Sequence, residues 1–371
     1  MSRVDVLIPV YNMAATLDAS IDSIRRQTLA DIRIIVVDDG STDETPSLLA
    51  DIAKQDARIV VATQSNGGIV SALNLGLSRC TAEFVARFDA DDIAYPTRLE
   101  RQLAYMEMHP ECVAVGCAVE HMDEGGAPLH GLPQTGSPSD AIADKAPALE
   151  PYIVHPFLFA RRAAIETVGG YRHVPNSEDS DLLWRLSEHG ALVNLPDVLG
   201  CYRVHTASIS SSIIGGRVMA VGSQLGALSA LRRRAGAPDI VFKPDLARGL
   251  KAAGALERMV EEASVLLNSD ERQRLRIASA AKLMELARYR PFEIDLSDAA
   301  FIRGALALLA TLSRENAKEV SWYVTVTAAR LARKGRIREA IALTPPALAP
   351  VAAARYVASF AGATRRPSNA A

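Results

Sequence analysis

Short apolar runs alternate with amphipathic stretches along the first part of the chain. Val4–Val10 and residues 32–37 consist mostly of β-branched and aliphatic side chains, which is typical of strands buried on both faces. Between them, Leu17, Ile21 and Ile24 recur at the spacing of one helix face. Because strand and helix patterns of this length keep alternating, they predict right-handed βαβ crossovers and an α/β fold with a mainly parallel sheet and helices on both faces.

The same periodicities predict further elements before Ser212. Ser41 with Glu44 predicts a capping box at the start of the helix that follows the second strand. Pro96 is expected as the first residue of a later helix. Strands are expected at residues 58–62, 83–88, 154–160, 191–194 and 198–204, and helices at residues 16–27, 67–79, 96–108, 163–168 and 177–189.

Strand patterns nearly vanish after Ser212. Ala, Leu, Arg and Glu then recur at helical spacing, as in residues 246–267, 271–288 and 322–333. A chain of 371 residues is also longer than one average domain. The sequence therefore predicts two domains, an α/β domain at residues 1–214 and an all-helical region of unknown role at residues 215–371.

Composition excludes some classes of protein. The net charge of −2 gives no indication of nucleic-acid binding. The four cysteines form no CxxC pair, as expected of free thiols in a reducing compartment. Because no signal peptide or transmembrane segment is evident, we expect a cytoplasmic protein; a peripheral contact with the inner face of the cell membrane stays open. The sequence gives no indication of an oligomeric state.

Three polar clusters follow predicted strands of the sheet. In an open α/β sheet, ligands bind at the carboxyl ends of the strands, so these clusters are expected at one rim. They are Pro9-Val10-Tyr11-Asn12, Asp38-Asp39-Gly40-Ser41 and Asp89-Ala90-Asp91-Asp92.

The third cluster predicts a metal site. Carboxylates packed this closely repel one another unless a cation neutralises them, and hard oxygen ligands suit Mg²⁺ or Mn²⁺. The alternative is a solvated acidic turn before the next helix. The other two clusters at the same rim favour the metal site.

The first two clusters predict a nucleotide site. Asp39 can accept a hydrogen bond from a base imide or a ribose hydroxyl, and Tyr11 and Asn12 can contact a base. The alternative makes Asp38, Asp39 and Ser41 simple helix-capping groups.

The chain resembles family 2 of the glycosyltransferases, which have the GT-A fold, a Rossmann-like α/β architecture. The resemblance covers residues 4–212 and is carried by segments in that family's order. They are VLIPVYN, IIVVDDGSTDET, NGGIVSALNLGLSRC, FVARFDADDIAYPTRLERQLAYM, HPFLFARR, VGGYRHVPNSEDSDLLWRLSEHG and YRVHTASIS. It implies an inverting, metal-dependent transfer of a hexosyl or N-acetylhexosaminyl group from a nucleotide-sugar.

The resemblance also implies roles for matching residues. The nucleotide pocket would be lined by Pro9, Val10, Tyr11, Asn12 and Asp39, with Asn66 near the base or ribose and Arg87 near the donor. Asp89 and Asp91 would be the DxD pair, with Asp91 the direct ligand of Mn²⁺ or Mg²⁺. Glu178 and Asp179 match the family's ED motif, whose aspartate is the general base, and Asp181 is the alternative base. A plain helix cap is the alternative role for Glu178 and Asp179.

Residues near the end of a later predicted strand extend the site. His205 is a candidate third metal ligand, and Arg203 is a candidate for binding the diphosphate. His155 is a weaker candidate for the acceptor cleft. The favoured donor is a UDP-sugar, with dTDP and GDP open, and the expected acceptor is a saccharide or lipid-linked saccharide of a bacterial cell surface.

Three rival functions remain to be weighed. A sugar nucleotidyltransferase would favour a Gly-rich loop with Lys or Arg after the first strand, where this chain has PVYNMAAT. A NAD-dependent oxidoreductase would need GxGxxG at that turn, and none occurs there. A catalytically degenerate scaffold or saccharide-binding protein is the non-enzymatic alternative. Four intact aspartates argue against it: Asp39, Asp89, Asp91 and Asp179.

Overall fold

The structure is a computed structural model that describes residues 2–130, 137–205 and 212–360. The chain forms two compact units. The first comprises Met1–Ala141, Glu150–His173 and Glu178–Thr206, and the second comprises Ile142–Leu149, Val174–Ser177 and Ala207–Ala371. The domain boundary predicted after residue 214 stays a prediction.

The first unit is built on one sheet, in which the described residues form nine strands. The strands are β1 (Val4–Val10), β2 (Ile32–Asp38), β3 (Ile59–Thr63), β4 (Phe84–Arg87), β5 (Ile93–Ala94), β6 (Cys112–Met122), β7 (Pro128–Leu129), β8 (Phe159–Arg161) and β9 (Ala191–Arg203). Their order is β3-β2-β1-β4-β8-β6-β9-β5, with β7 paired to β6.

The sheet is parallel in its first half and mixed beyond β4. Strands β1 to β4 pair in parallel, as the alternating pattern predicts. Strand β8 is antiparallel to both β4 and β6, while β6 and β9 are parallel. The carboxyl ends of β1, β2 and β4 therefore lie at the same rim, where the polar clusters follow.

Helices cover both faces of this sheet. The helices of the first unit are α1 (Leu17–Arg25), α2 (Thr45–Gln55), α3 (Ile69–Leu77), α4 (Arg98–Met108), α5 (Arg162–Thr167) and α6 (Glu178–Leu186). Alternate side chains of β1 point to opposite faces. Ile8 shares one core with Ile21 of α1, and Leu7 shares another with Leu73 of α3.

Several local predictions were wrong. The predicted capping box is absent: Glu44 is the N-cap of α2 without a side-chain bond, and the Ser41 hydroxyl accepts a hydrogen bond from the Asn12 backbone N–H instead. Helix α4 begins at Arg98, two residues after Pro96. Residues 154–160 form a short 3₁₀ helix, His155–Phe157, followed by the short strand β8. The two strands predicted at residues 191–204 are the single strand β9.

The second unit is helical where it is described. Its helices are α7 (Ile213–Arg234), α8 (Leu246–Ala253), α9 (Leu256–Ala263), α10 (Ser269–Leu286), α11 (Leu296–Ala305), α12 (Arg314–Arg333), α13 (Ile337–Leu343) and α14 (Ala349–Phe360). The single helix predicted at 246–267 is divided at Gly254, which has a φ of 72°. In the described part of the chain no single helix is long and apolar enough to cross a membrane; Ile337–Leu343 and Pro346–Ser359 together pass that test but are bent by 110°.

Candidate active site at the carboxyl ends of the strands

The loop after β4 carries the predicted metal ligands and is held in place by α1. The Ser20 hydroxyl donates to the carbonyl oxygen of Asp89 at 2.8 Å, and the Thr16 hydroxyl donates to that of Ala90 at 2.9 Å. Two short polar side chains, one at the N-cap of α1 and one within the helix, thus fix the backbone of the loop. The carboxylates are therefore positioned by the sheet and α1 together.

Three carboxylates lie close together in this loop. The oxygens of Asp89, Asp91 and Asp92 lie within 4.8 Å of one another. Burial and the negative charges of Asp89 and Asp91 hold the pKa of Asp92 well above its ordinary value. Asp92 is fully buried, and its Oδ2 atom has no hydrogen-bond partner among the described residues. The sequence predicts a metal site at this cluster but singles out only Asp89 and Asp91 as the DxD pair, and the structure brings the Asp92 carboxylate to the same place.

The end of β9 supports this cluster. The Arg203 backbone N–H donates to Asp92 Oδ1 at 2.7 Å, and Arg203 Nε donates to the carbonyl oxygen of Asp91 at 2.7 Å. Arg203 Nη1 donates to the carbonyl oxygens of Asp123 and Glu124 at 3.2 and 2.9 Å. Arg203 thus holds the loop of the metal ligands in place. Its predicted contact with a diphosphate stays a prediction.

His205 lies directly against the cluster. Its Nε2 atom is 2.7 Å from Asp91 Oδ2. This places the imidazole beside the carboxylate that was predicted to bind the metal directly. Its role as a third metal ligand stays a prediction, and the following residues 206–210 of the YRVHTASIS segment lie outside the described residues.

Arg87 occupies the centre of the site. Its side chain is buried, and its Nη2 atom is 2.6 Å from Asp89 Oδ1. The Nε and Nη1 atoms are buried without a hydrogen-bond partner in the described parts of the chain. Buried N–H donors of a guanidinium are costly to leave unpaired, so two unused donors beside a carboxylate cluster form a natural contact for an anion.

The predicted base lies at the start of α6, within reach of the same charges. Burial is the main cause that raises the pKa of Asp179 and raises that of Glu178 to about 7, with the Asp179 charge adding to the latter. The positive charge of Arg87 lowers both pKa values, and the charge of Asp89 raises that of Glu178. The structure therefore brings the DxD loop, Arg87 and the ED motif into one electrostatic environment.

The alternative base is engaged elsewhere. Asp181 is fully buried and accepts hydrogen bonds from Arg172 Nε at 3.0 Å and Arg185 Nε at 2.9 Å. A carboxylate held by two guanidinium groups is a structural ion pair and is poorly placed to take a proton. The Asp179 carboxylate instead accepts a backbone N–H bond from Ser180 at 2.7 Å.

His155 and Tyr171 form a second polar pair near Arg87. His155 Nε2 and the Tyr171 hydroxyl are 2.7 Å apart. Burial holds the pKa of His155 well below its ordinary value, and the Arg87 charge lowers it further, so the imidazole is neutral. Burial raises the pKa of Tyr171. Tyr171 lies in the segment VGGYRHVPNSEDSDLLWRLSEHG that carries the resemblance, but sequence reasoning gave it no role.

Asp39 orders a neighbouring loop. Its Oδ1 atom accepts hydrogen bonds from Gln64 Nε2 at 2.6 Å and from the Gly67 N–H at 2.8 Å, and its Oδ2 atom accepts one from the Gly68 N–H at 2.9 Å. These bonds shape the loop that presents the exposed Asn66. Gln64 was not predicted to take part.

The residues after β1 tie the same rim together. Asn12 has a positive φ of 54°, and the Thr42 backbone N–H donates to its Oδ1 atom at 2.8 Å. The Tyr11 ring is 44% exposed and is free to meet a planar ligand. Pro9 and Val10 are buried within β1, so they support the pocket from the core.

Comparisons with known proteins identify the family. The model described as "Glycosyl transferase family 2" matches residues 5–169. Over 199 residues the chain is 37% identical to the amylovoran biosynthesis glycosyltransferase AmsE of Erwinia amylovora. The alignment covers 52% of this chain and 73% of AmsE. The chain belongs to glycosyltransferase family 2. This glycosyltransferase is also 29% identical over 218 residues to the O-antigen biosynthesis glycosyltransferase WbnJ of Escherichia coli, covering 58% and 84% of the two chains.

A solved structure shares the fold. The mannosyltransferase PcManGT from Pyrobaculum calidifontis, solved in complex with GDP-Man and Mn²⁺, aligns with a TM-score of 0.51 and 20% identity over 96% of this chain and 87% of its own. The predicted GT-A fold with additional helices in the C-terminal region is confirmed. The roles of the individual site residues in this glycosyltransferase stay predictions.

Proposed function

We propose that this glycosyltransferase is an inverting, metal-dependent enzyme that uses a nucleoside-diphosphate sugar, with a UDP-sugar as donor. The acceptor would be a hydroxyl of a saccharide or lipid-linked saccharide. One observation carries the proposal: the buried Arg87 guanidinium forms an ion pair with Asp89 of the DxD loop, and its charge also lowers the pKa of both Glu178 and Asp179.

The acidic cluster fits a divalent cation. Asp89, Asp91 and Asp92 offer only hard oxygen ligands, which suit Mn²⁺ or Mg²⁺. Burial is the main cause that raises the pKa of Asp89 and of Asp92, and the negative charge of Asp91 raises both further; a cation would relieve this repulsion. When bound, the ion would neutralise negative charge on the departing nucleoside diphosphate. His205, beside Asp91, would complete the set.

Asp179 would act as the general base. Its carboxylate takes the proton of the acceptor hydroxyl while that oxygen attacks the anomeric carbon from the face opposite the diphosphate. The bond between the anomeric carbon and the diphosphate oxygen breaks in the same step, so the configuration inverts. A raised pKa makes Asp179 a better proton acceptor than an exposed aspartate, and Asp181 is engaged by two arginines.

The donor would lie along the rim of the first three parallel strands. Tyr11 offers an exposed ring for the base, and Asn66 lies on the loop that Asp39 orders. Because both Asp39 oxygens already accept N–H bonds, we expect Asp39 to act on the base mainly through this loop. Arg87 would meet the donor with its unused N–H groups.

The relatives suggest the pathway. AmsE is named for amylovoran biosynthesis and WbnJ for O-antigen biosynthesis. We therefore propose that this enzyme acts in the synthesis of a bacterial cell-surface polysaccharide, at the cytoplasmic side of the cell membrane. PcManGT was solved with GDP-Man, so GDP is the base to test against UDP.

Binding calorimetry tests the donor site. UDP, GDP and dTDP are titrated into the full chain with Mn²⁺ and again with EDTA. We expect UDP to bind with Mn²⁺, to lose affinity in EDTA, and to lose it in Asp91→Asn but not in Asp18→Asn, an exposed aspartate of α1. Binding of GDP or dTDP alone would correct the donor base. No nucleotide binding under any condition would refute the proposal in favour of a degenerate scaffold.

A further inference from the structure

The last two helices of the chain leave apolar side chains in solvent. Ile337 and Ile341 of α13 are 48% and 69% exposed, and Val351 and Val357 of α14 are 47% and 67% exposed. The small residues between the two valines, Ala353 and Ala354, are exposed as well. These exposed apolar residues of the two consecutive helices are here called the α13–α14 face; clusters of exposed apolar side chains of this kind mark interaction surfaces.

The two helices are anchored through their other sides. Ala340 and Leu343 of α13 and Ala352 of α14 belong to the hydrophobic core of the second unit. Arg355, the single charged residue between Ala340 and Phe360, lies over the Trp322 ring at 5.9 Å. The outward side of this segment therefore carries almost no charge, although it faces solvent.

Positive charge flanks the α13–α14 face on both sides along the chain. Arg333, Lys334, Arg336 and Arg338 precede or begin α13, with Glu339 as the one acidic residue among them. Arg333 and Arg338 are exposed. In the sequence after α14, Arg365 and Arg366 follow with no acidic residue. Seven basic residues and one acidic residue thus occupy positions 333–366 of a chain whose net charge is −2.

This combination is the pattern of helices that lie on a membrane surface. Such helices place apolar side chains at the boundary of the acyl chains, while basic side chains attract anionic headgroups. The bend of 110° between the two helices argues against one straight membrane span. A contact with a second copy of the chain would bury the same apolar side chains, but it would place the basic flanks of the two copies near like charges.

We propose that the α13–α14 face, flanked by its basic residues, docks the enzyme onto a bilayer that contains anionic phospholipid. The docking is peripheral: apolar side chains of the face enter the headgroup boundary, and the exposed Arg333 and Arg338 contact phosphate groups. This inference does not depend on the donor, the metal or the general base.

Flotation with vesicles tests it on the full chain. Vesicles of phosphatidylcholine are compared with vesicles of equal parts phosphatidylcholine and phosphatidylglycerol. We expect the protein to float with the anionic vesicles, to stay unbound with the neutral ones, and to be released by high salt. The double variant Ile341→Ser, Val357→Ser is expected to bind the anionic vesicles about tenfold more weakly, because two apolar side chains no longer leave water.

A matched control removes equal apolar area elsewhere in the second unit. Val241 and Val265 are 75% and 77% exposed and lie outside the α13–α14 face. Val241→Ser, Val265→Ser is expected to float like the wild type, and circular dichroism is expected to show the same melting for both double variants. Equal flotation of all three proteins would overturn the proposal. The proposal would also be overturned if the wild-type protein did not float and sedimented as a dimer while the Ile341→Ser, Val357→Ser variant sedimented as a monomer. This result would assign the face to self-association.

Discussion

Asp39→Asn is a sharp probe of the nucleotide rim, because the Asp39 carboxylate is buried and accepts three N–H bonds from one loop. Asparagine has the same shape but replaces one oxygen with an NH₂ group. The variant therefore keeps the volume of the side chain and changes only its hydrogen bonding and charge. We expect it to destabilise the first unit by about 2–3 kcal/mol.

The magnitude follows from the three bonds. The amide oxygen of asparagine can keep the bonds from Gln64 and Gly67, now without charge assistance. Its NH₂ group would face the Gly68 N–H, so that bond is lost and two donors oppose each other. A hydrogen bond to a charged group contributes about 1.5–3 kcal/mol and a neutral one about 1 kcal/mol. Asparagine is neutral, so the variant no longer bears the cost of burying a charge, which offsets part of the loss. The net destabilisation is then about 2–3 kcal/mol.

The two tryptophans make this measurable, since Trp184 lies in the first unit and Trp322 in the second. In a Trp322→Phe background, urea unfolding followed by fluorescence reports on the first unit. Asp18→Asn, at an exposed position of α1, serves as the control and is expected to unfold like the parent. UDP affinity should fall in Asp39→Asn, because the loop that presents Asn66 loses its order. Unchanged unfolding together with unchanged UDP affinity would refute the assignment of Asp39 as the organiser of this loop.

Three further predictions concern other contacts of the first unit. Glu150→Gln should shift the acidic limb of the profile of kcat/KM against pH to lower pH, because the Glu150 charge raises the pKa of Asp179 and a general base acts only in its ionised form. An acidic limb that stays in place would contradict this. Arg203→Lys should lower the affinity for Mn²⁺ in the presence of UDP about 10- to 100-fold, as measured by calorimetry, because the loop of the metal ligands loses its support. An unchanged Mn²⁺ affinity would exclude this role. Gly76→Ala should cost about 1–3 kcal/mol in urea unfolding, because the new Cβ would lie 2.0 Å from Leu7 Cδ1; wild-type stability would show that the core yields without strain.

The alternation of strands and helices could be predicted because each element buries a continuous or periodic apolar face. Strand β9 could not be predicted as one element, because Pro196 cannot donate to a ladder and indicates a break. The structure absorbs this proline at a register irregularity, where Cys117 pairs with Leu195 and Ala118 with Val198. Such a bulge depends on the partner strand, which local sequence does not reveal.

The candidate site was likewise predictable only in part. The rim location of Asp39, Asp89 and Asp91 follows from strand ends, a property that the sequence displays. The contact between Gln64 and Asp39, and the pair of Tyr171 and His155, arise from loops that meet only in three dimensions. The capping box failed for the opposite reason, since Ser41 has a partner on another loop that outcompetes the local cap.

The role of Asp179 as general base is tested most directly by hydrolysis of the donor, which requires no knowledge of the acceptor. The release of UDP from a UDP-sugar, with water as the acceptor, is measured for wild type, Asp179→Asn and the control Asp18→Asn, together with UDP affinity. We expect Asp179→Asn to bind UDP and Mn²⁺ as the wild type does and to lose about 10²- to 10⁴-fold in rate, while the control keeps its rate. A rate within a few-fold of wild type in Asp179→Asn would contradict the assignment of Asp179 as the base.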